Sequence, residues 1–220
     1  METLDIACDF DGTITCVDTL HLIVEAFAAR GAWSAIEPRL RSGEISLDEA
    51  MQEQFAQVHA TPDEVARLVL DEAGLRAGFA DFEAWCRTRG HRLVVLSSGF
   101  RSIIEPLLTR WGFAHLELAA HDARFSAEGC RLIWSDRGPA CEECGRPCKR
   151  HDLRRLGLGG RPLVYIGDGI SDRCAAGLAD LVFARADLAR HLTTESVPFV
   201  PFDDFTQVRE RLGRPLGLAA

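Results

Sequence analysis

Two pairs of aspartates follow apolar runs that have the length of β-strands. Asp9 and Asp11 come directly after residues 4–8, and Asp168 and Asp172 follow a later apolar run. Alternate residues of an extended chain point to the same side, so Asp9 and Asp11 are expected to face the same space. Four acids at one edge of a sheet repel one another and need a counter-charge. Oxygen ligands of this kind suit Mg²⁺, and the sequence therefore predicts a magnesium site.

A hydroxyl and a lysine complete a set of residues that suits phosphate chemistry. Ser97 ends the apolar run 92–97, and Lys149 opens a helical pattern after a loop. In open α/β sheets, ligands bind beyond the carboxyl ends of the strands, where we expect these side chains to meet the acids. Hydroxyls and fixed cations stabilise charge on phosphate oxygens. The set predicts phosphoryl transfer, in which one carboxylate attacks phosphorus and a second protonates the leaving group and later activates water.

The elements that must position these residues alternate between strand and helix, which predicts an α/β fold. Runs that are apolar on both faces suit a central parallel sheet. Because only helical patterns lie between residues 18 and 78, we predict a Rossmann-like core (1–16 and 79–220) with a helical cap (17–78) inserted after the first strand. The predicted strands are 4–8, 92–97, 163–167, 181–184 and 197–200. The predicted helices are 19–29, 47–59, 62–72, 79–89, 103–112, 149–156, 172–178 and 205–212.

Composition narrows the classes of function. The 220 residues include 25 Lys and Arg against 33 Asp and Glu, a formal net charge of −8. An acidic chain with no basic run is a poor candidate for binding nucleic acid or an anionic membrane. It has no apolar stretch near the roughly 20 residues of a membrane span and no basic-then-apolar leader, so we expect a cytoplasmic protein. The expected partner is a small phosphorylated metabolite, and the sequence leaves the oligomeric state open.

Four motifs, in this order, resemble those of the haloacid dehalogenase-like phosphatase superfamily. The resemblance implies that Asp9 is the nucleophile and Asp11 the general acid and base. It implies Mg²⁺ on Asp9, the backbone carbonyl of Asp11 and Asp168, with Asp172 nearby as a ligand or an outer contact. Ser97 and Lys149 would hold the phosphate. The motifs are Asp-Phe-Asp-Gly-Thr (9–13), Val-Leu-Ser-Ser-Gly (95–99), Lys149 and Gly-Asp-Gly-Ile-Ser-Asp (167–172).

The helical insertion directly after the first motif resembles the cap of the phosphoserine-phosphatase-like branch. That branch usually has Gly where this chain has Ser98, which adds a hydroxyl near the phosphate. Within the branch, the start (8–15), the Cys-rich loop and the tail Pro-Phe-Asp-Asp-Phe (201–205) resemble the family of enol-phosphate phosphatases of methionine salvage. Related caps also serve phosphoserine, phosphoethanolamine and phosphocholine phosphatases, and the superfamily motifs do not separate these substrates.

Asp18 is the one cap residue that we assign to the substrate. It lies nine residues after Asp9, where the cap begins, and in phosphoserine-type relatives an acid at this place meets the amino group of the substrate. The other interpretation is a helix N-cap, for which Asp is favoured.

Cysteines gather in the loop before Lys149. Cys141, Cys144 and Cys148 form a Cys-x2-Cys-x3-Cys pattern followed by His151, and three thiolates with an imidazole could bind Zn²⁺. Cys130 could instead supply the fourth ligand. The alternatives are a loop of free thiols and a zinc-ribbon-like binding module, although the net charge weighs against nucleic acid. The remaining cysteines are expected to pack as small apolar residues: Cys8, Cys16, Cys86 and Cys174.

Overall fold

A seven-stranded sheet forms the centre of the protein in the computed structural model, which describes residues 2–136 and 138–214. Within this described part the strand order is β4-β3-β2-β1-β5-β6-β7. The β3–β4 edge pair is antiparallel, and the other neighbours are parallel. The strands are β1 (Asp5–Cys8), β2 (Arg92–Phe100), β3 (Glu117–Ser126), β4 (Gly129–Ile133), β5 (Leu163–Gly167), β6 (Leu181–Ala184) and β7 (Val200–Pro201).

The first strand lies in the middle of the sheet, and this position decides where the site forms. In the register of the sheet, Cys8 is the partner of Val95 in β2 and of Ile166 in β5. The residues that follow these three therefore lie at the same edge of the sheet. All four residues of β1 are buried, as expected for a strand with parallel neighbours on both sides.

Helices cover both faces of the sheet. Alternate strand residues point to opposite sides, so apolar side chains lie on both faces and need to be covered. Ile6 and Cys8 belong to one apolar cluster, whereas Ala7 between them belongs to a second cluster on the other face. The α/β fold with a mainly parallel sheet is thus the predicted one. The helices are α1 (Thr19–Phe27), α2 (Ala32–Ser42), α3 (Leu47–Phe55), α4 (Pro62–Glu72), α5 (Phe79–Arg89), α6 (Arg101–Arg110), α7 (Lys149–Arg155), α8 (Arg173–Ala176), α9 (Ala186–Thr194) and α10 (Phe205–Leu212).

Four helices, α1 to α4, lie between β1 and α5, as the helical insertion predicts. Ile23 of α1, Phe55 of α3 and Val69 of α4 belong to the same apolar cluster as the sheet residue Ile6. A small cluster around Ile36 lies between α2 and α3. The insertion therefore belongs to the apolar cluster that covers one face of the sheet. Its limits at residues 17 and 78 stay a prediction.

Several elements differ from the sequence prediction, among them β2, which continues to Phe100, and β3, which is not among the predicted strands. Helix α2 was not predicted because Pro38 lies inside it, and helix α9 was not predicted either. The last predicted strand, 197–200, is wrong in its bounds, since only Val200–Pro201 pairs with β6. None of the helices in the described part of the chain has the length and apolar character that a membrane crossing requires.

Candidate active site

A tight loop carries the first pair of acids out of β1. The backbone N–H of Asp9 donates to the carbonyl of Ile166 at 2.9 Å, which continues the β1–β5 ladder by one residue. The chain then turns at Gly12, whose φ of 74° lies in the left-handed region that glycine adopts without strain. The backbone N–H of Ile14 closes the turn by donating to the carbonyl of Phe10 at 2.9 Å. Asp9 is 5% exposed at the bottom of the site.

Lys149 lies completely buried between two aspartates. It begins helix α7, and its Nζ donates to a carboxylate oxygen of Asp9 and, at 2.7 Å, to one of Asp172. Burial alone would lower the pKa of Lys149, but the two carboxylates outweigh it and hold this pKa above its usual value. A permanent positive charge therefore stands beside Asp9, as the sequence predicts.

Asp172 uses its carboxylate to organise the neighbouring backbone. Its Oδ1 accepts from Lys149 Nζ and, at 2.7 Å, from the hydroxyl of Tyr165. Its Oδ2 accepts from the backbone N–H groups of Asp168 at 3.0 Å and Gly169 at 2.9 Å. A carboxylate offers about four acceptor positions, and these four donors occupy them. Of the two roles expected for Asp172, the geometry favours the outer contact, which orients Lys149 and Asp168, over that of a metal ligand.

The carboxylates of Asp168 and Asp9 lie close together, and the nearby positive charge does not fully offset their mutual repulsion. Oxygens of Asp9, Asp168 and Asp172 lie within 4.8 Å of one another. Asp168 accepts a hydrogen bond from the hydroxyl of Thr13 at 3.0 Å. Desolvation and the charges of Asp9 and Asp172 raise the pKa of Asp168 to about 9, and desolvation followed by Asp172 raises that of Asp9 to about 6. This arrangement of hard oxygen donors fits a divalent cation such as Mg²⁺.

Asp11 lies in the site between helix α1 and strand β2. It accepts from the backbone N–H of Thr19 at 3.3 Å and also from the Thr19 hydroxyl. Its other oxygen accepts from Ser97 Oγ at 3.2 Å, and Ser97 in turn accepts from the N–H of Gly99 at 2.8 Å. Desolvation and the charge of Asp18 raise the pKa of Asp11 to about 7. A carboxyl that titrates near neutrality can exchange a proton with a substrate.

A cavity of about 210 Å³ joins these groups to the inserted helices. Ser98 also lines this cavity, and its contact with phosphate stays a prediction. Asp18 also lines it, but one of its oxygens caps α1 by accepting from the N–H groups of Leu20 and His21, each at 2.9 Å. The N-cap interpretation of Asp18 is confirmed, and its contact with substrate stays a prediction. The floor is formed by Asp9, Asp11, Ser97, Ser98 and Asp168, and the helical wall by Leu20, Trp33, Leu40, Leu47, Met51 and Gln54.

Arg76 holds the catalytic loop and was missed at the sequence level. Its guanidinium donates to the carbonyls of Thr13 at 2.6 Å, Gly12 at 2.7 Å and Thr15 at 2.9 Å. It also donates to the carbonyl of Asp203 at 3.2 Å, so one side chain joins the loop after Asp11 to the chain before α10. A lone arginine between a cap and a core gives no pattern that could have identified this role.

The cysteine loop differs from the expected set of ligands. Sulfur atoms of Cys141, Cys144, Cys148 and Cys174 lie within 4.8 Å of one another. His151 is not in this group because its ring lies against the backbone of Gly138, 2.2 Å from where a Cβ would stand. Cys130 is not in it either, since it lies in strand β4 opposite Phe125. Cys174 replaces both as the fourth member.

Two of the cysteines expected to pack as apolar residues do not do so. Cys8 and Cys86 are buried, as predicted. Cys16 is exposed, and Cys174 faces the loop cysteines, so the prediction is wrong for these two.

A mainly parallel α/β sheet with acids at the carboxyl ends of β1 and β5 defines a hydrolase of the haloacid dehalogenase-like type. A sequence model of the haloacid dehalogenase-like hydrolase family matches residues 6–177, and the chain belongs to this family.

Relatives with named activities resemble almost the whole chain. A 2-hydroxy-3-keto-5-methylthiopentenyl-1-phosphate phosphatase of Brevibacillus brevis is 32% identical over 96% of this chain and 97% of its own length. A protein of the same name from Geobacillus thermodenitrificans is 33% identical over 97% of both chains. The predictions of an enzyme and of a phosphatase of this family are confirmed by these matches.

Solved structures resemble the fold. A phosphoserine phosphatase solved as an analogue of its phospho-aspartyl intermediate has a TM-score of 0.74, with 15% identity over 96% of this chain and 99% of its own. The phosphoserine phosphatase of T. onnurineus has a TM-score of 0.67, with 16% identity over 96% of this chain and 94% of its own. At these identities the likeness concerns the fold, and the predicted fold class is confirmed.

Proposed function

We propose that this protein is a Mg²⁺-dependent phosphomonoester hydrolase that is transiently phosphorylated on Asp9. The observation that carries the proposal is the contact of the Asp9 carboxylate with the buried ammonium of Lys149, at the floor of a cavity that Asp11 also lines. Lys149 favours the ionised, nucleophilic form of Asp9 and offers a cation to the incoming phosphate.

Two proton transfers by Asp11 would complete the reaction. An oxygen of Asp9 forms a bond to phosphorus while the bond to the leaving oxygen breaks, and the protonated Asp11 gives its proton to that oxygen. Asp11 then takes a proton from water, whose oxygen attacks phosphorus and releases Asp9 with inorganic phosphate. The pKa of about 7 at Asp11 supports both directions of transfer near neutral pH.

Mg²⁺ would be held by Asp9, Asp168 and the backbone carbonyl of Asp11. When bound, the ion would neutralise part of the charge on the phosphate oxygens. Asp172 orients Lys149 and the Asp168 backbone. Ser97 and Ser98 would donate their hydroxyls to phosphate oxygens at the same floor, and Ser97 would then turn its O–H from Asp11 to the phosphate.

The substrate that we propose is 2-hydroxy-3-keto-5-methylthiopentenyl-1-phosphate, which relatives at 32% and 33% identity carry in their names. The helical wall of the cavity supports this choice, because Leu20, Leu40, Leu47 and Met51 present apolar surface that suits a methylthio group. Among the described residues that line this cavity, none is Lys or Arg, and the carboxylate of phosphoserine would lack a cation there. Phosphoserine is thus the less favoured substrate on this ground, and the ester panel decides between the enol phosphate and the cationic esters phosphoethanolamine and phosphocholine.

The zinc-ribbon-like alternative is not favoured. The cysteine loop lies between β4 and α7 inside the matched family range, and α7 carries Lys149 into the active site. The loop is therefore part of the enzyme and not a separate binding module.

Release of inorganic phosphate from a panel of esters with Mg²⁺ tests both the proposed reaction and the proposed substrate. The panel contains the methylthiopentenyl enol phosphate, phosphoserine, phosphoethanolamine and phosphocholine. We expect the highest kcat/KM for the enol phosphate. A preference for phosphoserine would overturn the substrate, whereas no release from any ester would overturn the hydrolase.

A matched pair of variants tests the apolar wall. Leu47→Ala removes a half-buried side chain that lines the cavity, and we expect about a 10-fold lower kcat/KM for the enol phosphate. Leu68→Ala removes a half-buried side chain on α4 away from the cavity and serves as the control. Equal effects of the two variants would contradict the assigned wall.

A further inference from the structure

We propose that four thiolates bind one structural zinc ion, which joins the loop before Lys149 to the helix that follows Asp172. The ligands are Cys141, Cys144, Cys148 and Cys174. The site itself is independent of the proposed phosphatase reaction, and only its effect on Lys149 depends on that function.

The spacing of the sulfur atoms fits a tetrahedral ion. All four lie within 4.8 Å of one another. Zn–S bonds of about 2.3 Å place the sulfurs of a tetrahedron about 3.8 Å apart, so small side-chain adjustments would bring them to the ion. All four are free cysteines in the structure.

The backbone around Cys141 already has the form of a metal-binding turn. The N–H of Gly145 donates to the carbonyl of Cys141 at 2.8 Å, and the N–H of Cys141 donates to the carbonyl of Arg146 at 2.9 Å. Gly145 has a φ of 69°, which lets the chain reverse. The N–H of Glu143 points at Cys141 Sγ from 3.4 Å, and such donors stabilise a thiolate.

Cys174 reaches this group from a different part of the chain. It lies in α8, where Ala175 and Ala176 are buried in the core, whereas Cys174 itself is only partly buried and belongs to neither main apolar cluster. Its side chain faces the loop that carries the other three sulfurs. Cys174 is thirty residues away from Cys144 in the sequence, yet their sulfur atoms lie close together. Apolar packing alone would not require four cysteines at this place.

Two arginines lie near the four sulfurs. Four thiolates and Zn²⁺ carry a net charge of −2, which is costly unless cations lie nearby. Arg146 and Arg173 line the same cavity of about 380 Å³ as Cys144, Cys148 and Cys174. The cavity thus supplies the counter-charge that a four-thiolate site requires.

The ion would fix two catalytic segments to each other. Cys148 directly precedes Lys149, and Cys174 comes two residues after Asp172. Lys149 Nζ and Asp172 Oδ1 are themselves 2.7 Å apart. A metal on both cysteines would hold the two chain segments together behind this ion pair, so the role is structural and its four protein ligands leave no position for substrate.

The metal content of the purified protein tests the proposal. We expect one zinc per chain by elemental analysis, and loss of most of it in Cys174→Ser. Cys130→Ser and His151→Asn, which remove the two residues that share the region without joining the cluster, are expected to keep the zinc. The site would be overturned if protein purified under reducing conditions contained no zinc. It would also be overturned if zinc were lost in His151→Asn and kept in Cys174→Ser.

Cobalt substitution identifies the ligands. Co²⁺ in place of zinc is expected to give the intense thiolate charge-transfer absorption of a tetrahedral site, and this absorption should weaken in Cys174→Ser and stay in Cys16→Ser. Unchanged absorption in Cys174→Ser would contradict its role as a ligand.

Hydrogen exchange tests the link to the catalytic segments. Removal of zinc is expected to speed amide exchange in α7 and in residues 168–176, and adding zinc back should restore the slow exchange. Faster exchange confined to residues 141–148 would contradict the link, because the ion would then order only the cysteine loop. None of these measurements requires phosphatase activity, so their failure is separate from a failure of the proposed reaction.

Discussion

The ammonium of Lys149 lies 2.7 Å from the carboxylate of Asp172, and both side chains are completely buried. Asp9 contacts the same ammonium from the other side. One positive charge is thus shared by two acids in a site from which water is largely excluded. The stability of this part of the fold and the reactivity of Asp9 therefore depend on the same lysine.

Replacing Lys149 by methionine leaves Asp9 and Asp172 without their cation. We expect Lys149→Met to lose about 3–5 kcal/mol of unfolding free energy at neutral pH, as for other buried pairs that lose one partner. Lys149 lowers the pKa of Asp9, so in the variant the folded-state pKa of Asp9 rises further above the unfolded value, and the loss is expected to shrink as the pH falls and Asp9 protonates. Urea unfolding at several pH values measures this.

The control for Lys149→Met is Arg154→Met on the same helix, since Arg154 is exposed. We expect the control to change stability by less than about 1 kcal/mol. A loss in Lys149→Met that does not change with pH would contradict the shared charge.

Gly12 and Gly43 offer a matched test of the turn after Asp11. Their φ values are 74° and 77°, so alanine costs about 1 kcal/mol of backbone strain at either place. A Cβ on Gly12 would stand 2.5 Å from Asp168 Oδ2, whereas one on Gly43 would meet nothing within 4 Å.

We therefore expect Gly12→Ala, and not Gly43→Ala, to raise the Mg²⁺ concentration needed for half-maximal phosphate release by roughly 10-fold or more. Titration of activity with Mg²⁺ measures it. The same Mg²⁺ requirement in both variants would mean that Asp168 does not belong to the metal site.

Removal of Arg76 takes a donor from four backbone carbonyls, and of these the carbonyl of Gly12 keeps a hydrogen bond from Arg185. We expect Arg76→Met to lose about 3 kcal/mol of stability and to lower kcat, because the loop from Gly12 to Thr15 carries the turn beside Asp11. Arg76→Lys is expected to restore part of the stability at most, since it lacks the planar fork of donors. Arg67→Met, an exposed arginine on α4, is the control, and equal behaviour of Arg67→Met and Arg76→Met would refute the role.

His91 makes the stability of the fold sensitive to mild acid. Its Nδ1 accepts from the N–H of Leu4 at 3.1 Å, and burial, followed by Arg89 and Arg161, holds the pKa of His91 below 6.5. Below pH 6.5 the unfolded chain binds the proton first, so the free energy of unfolding falls with decreasing pH until the folded-state pKa is reached.

We expect His91→Gln to flatten this part of the stability profile, measured by urea unfolding below pH 6.5. His59→Gln, which changes an exposed imidazole, should keep the wild-type slope. A slope in His91→Gln equal to that of the wild type would show that other groups cause the acid sensitivity.

The sequence could predict that the acids and Lys149 meet at one edge of the sheet, because each follows or begins an element that a local pattern identifies. Asp9 and Asp168 follow apolar runs of strand length, and the parallel sheet brings such ends together. Cys174 and Arg76 could not be predicted, since each acts on residues far away in sequence. Which partner a side chain meets depends on the packing of helices against one another, and a single sequence does not give this packing.

The helical insertion shows the same limit. The insertion could be predicted from the lack of strand patterns between residues 18 and 78. Helix α2 within it could not be predicted, because Pro38 is unfavourable inside a helix. Gly31 and Gly43, both with positive φ, flank this helix and mark its bounds in the structure. The shape of the cavity wall depends on α2 through Trp33 and Leu40, so the substrate was the least predictable part of the site.

Chemical trapping of the phosphorylated enzyme tests the central claim most directly. An aspartyl phosphate is reduced by borohydride to homoserine, and a single turnover quenched in borohydride can be followed by mass spectrometry of the peptide around residue 9. We expect homoserine at Asp9 only when substrate and Mg²⁺ are both present, and none in Asp9→Asn. Phosphate release without homoserine at Asp9, or reduction of a different aspartate, would contradict the account.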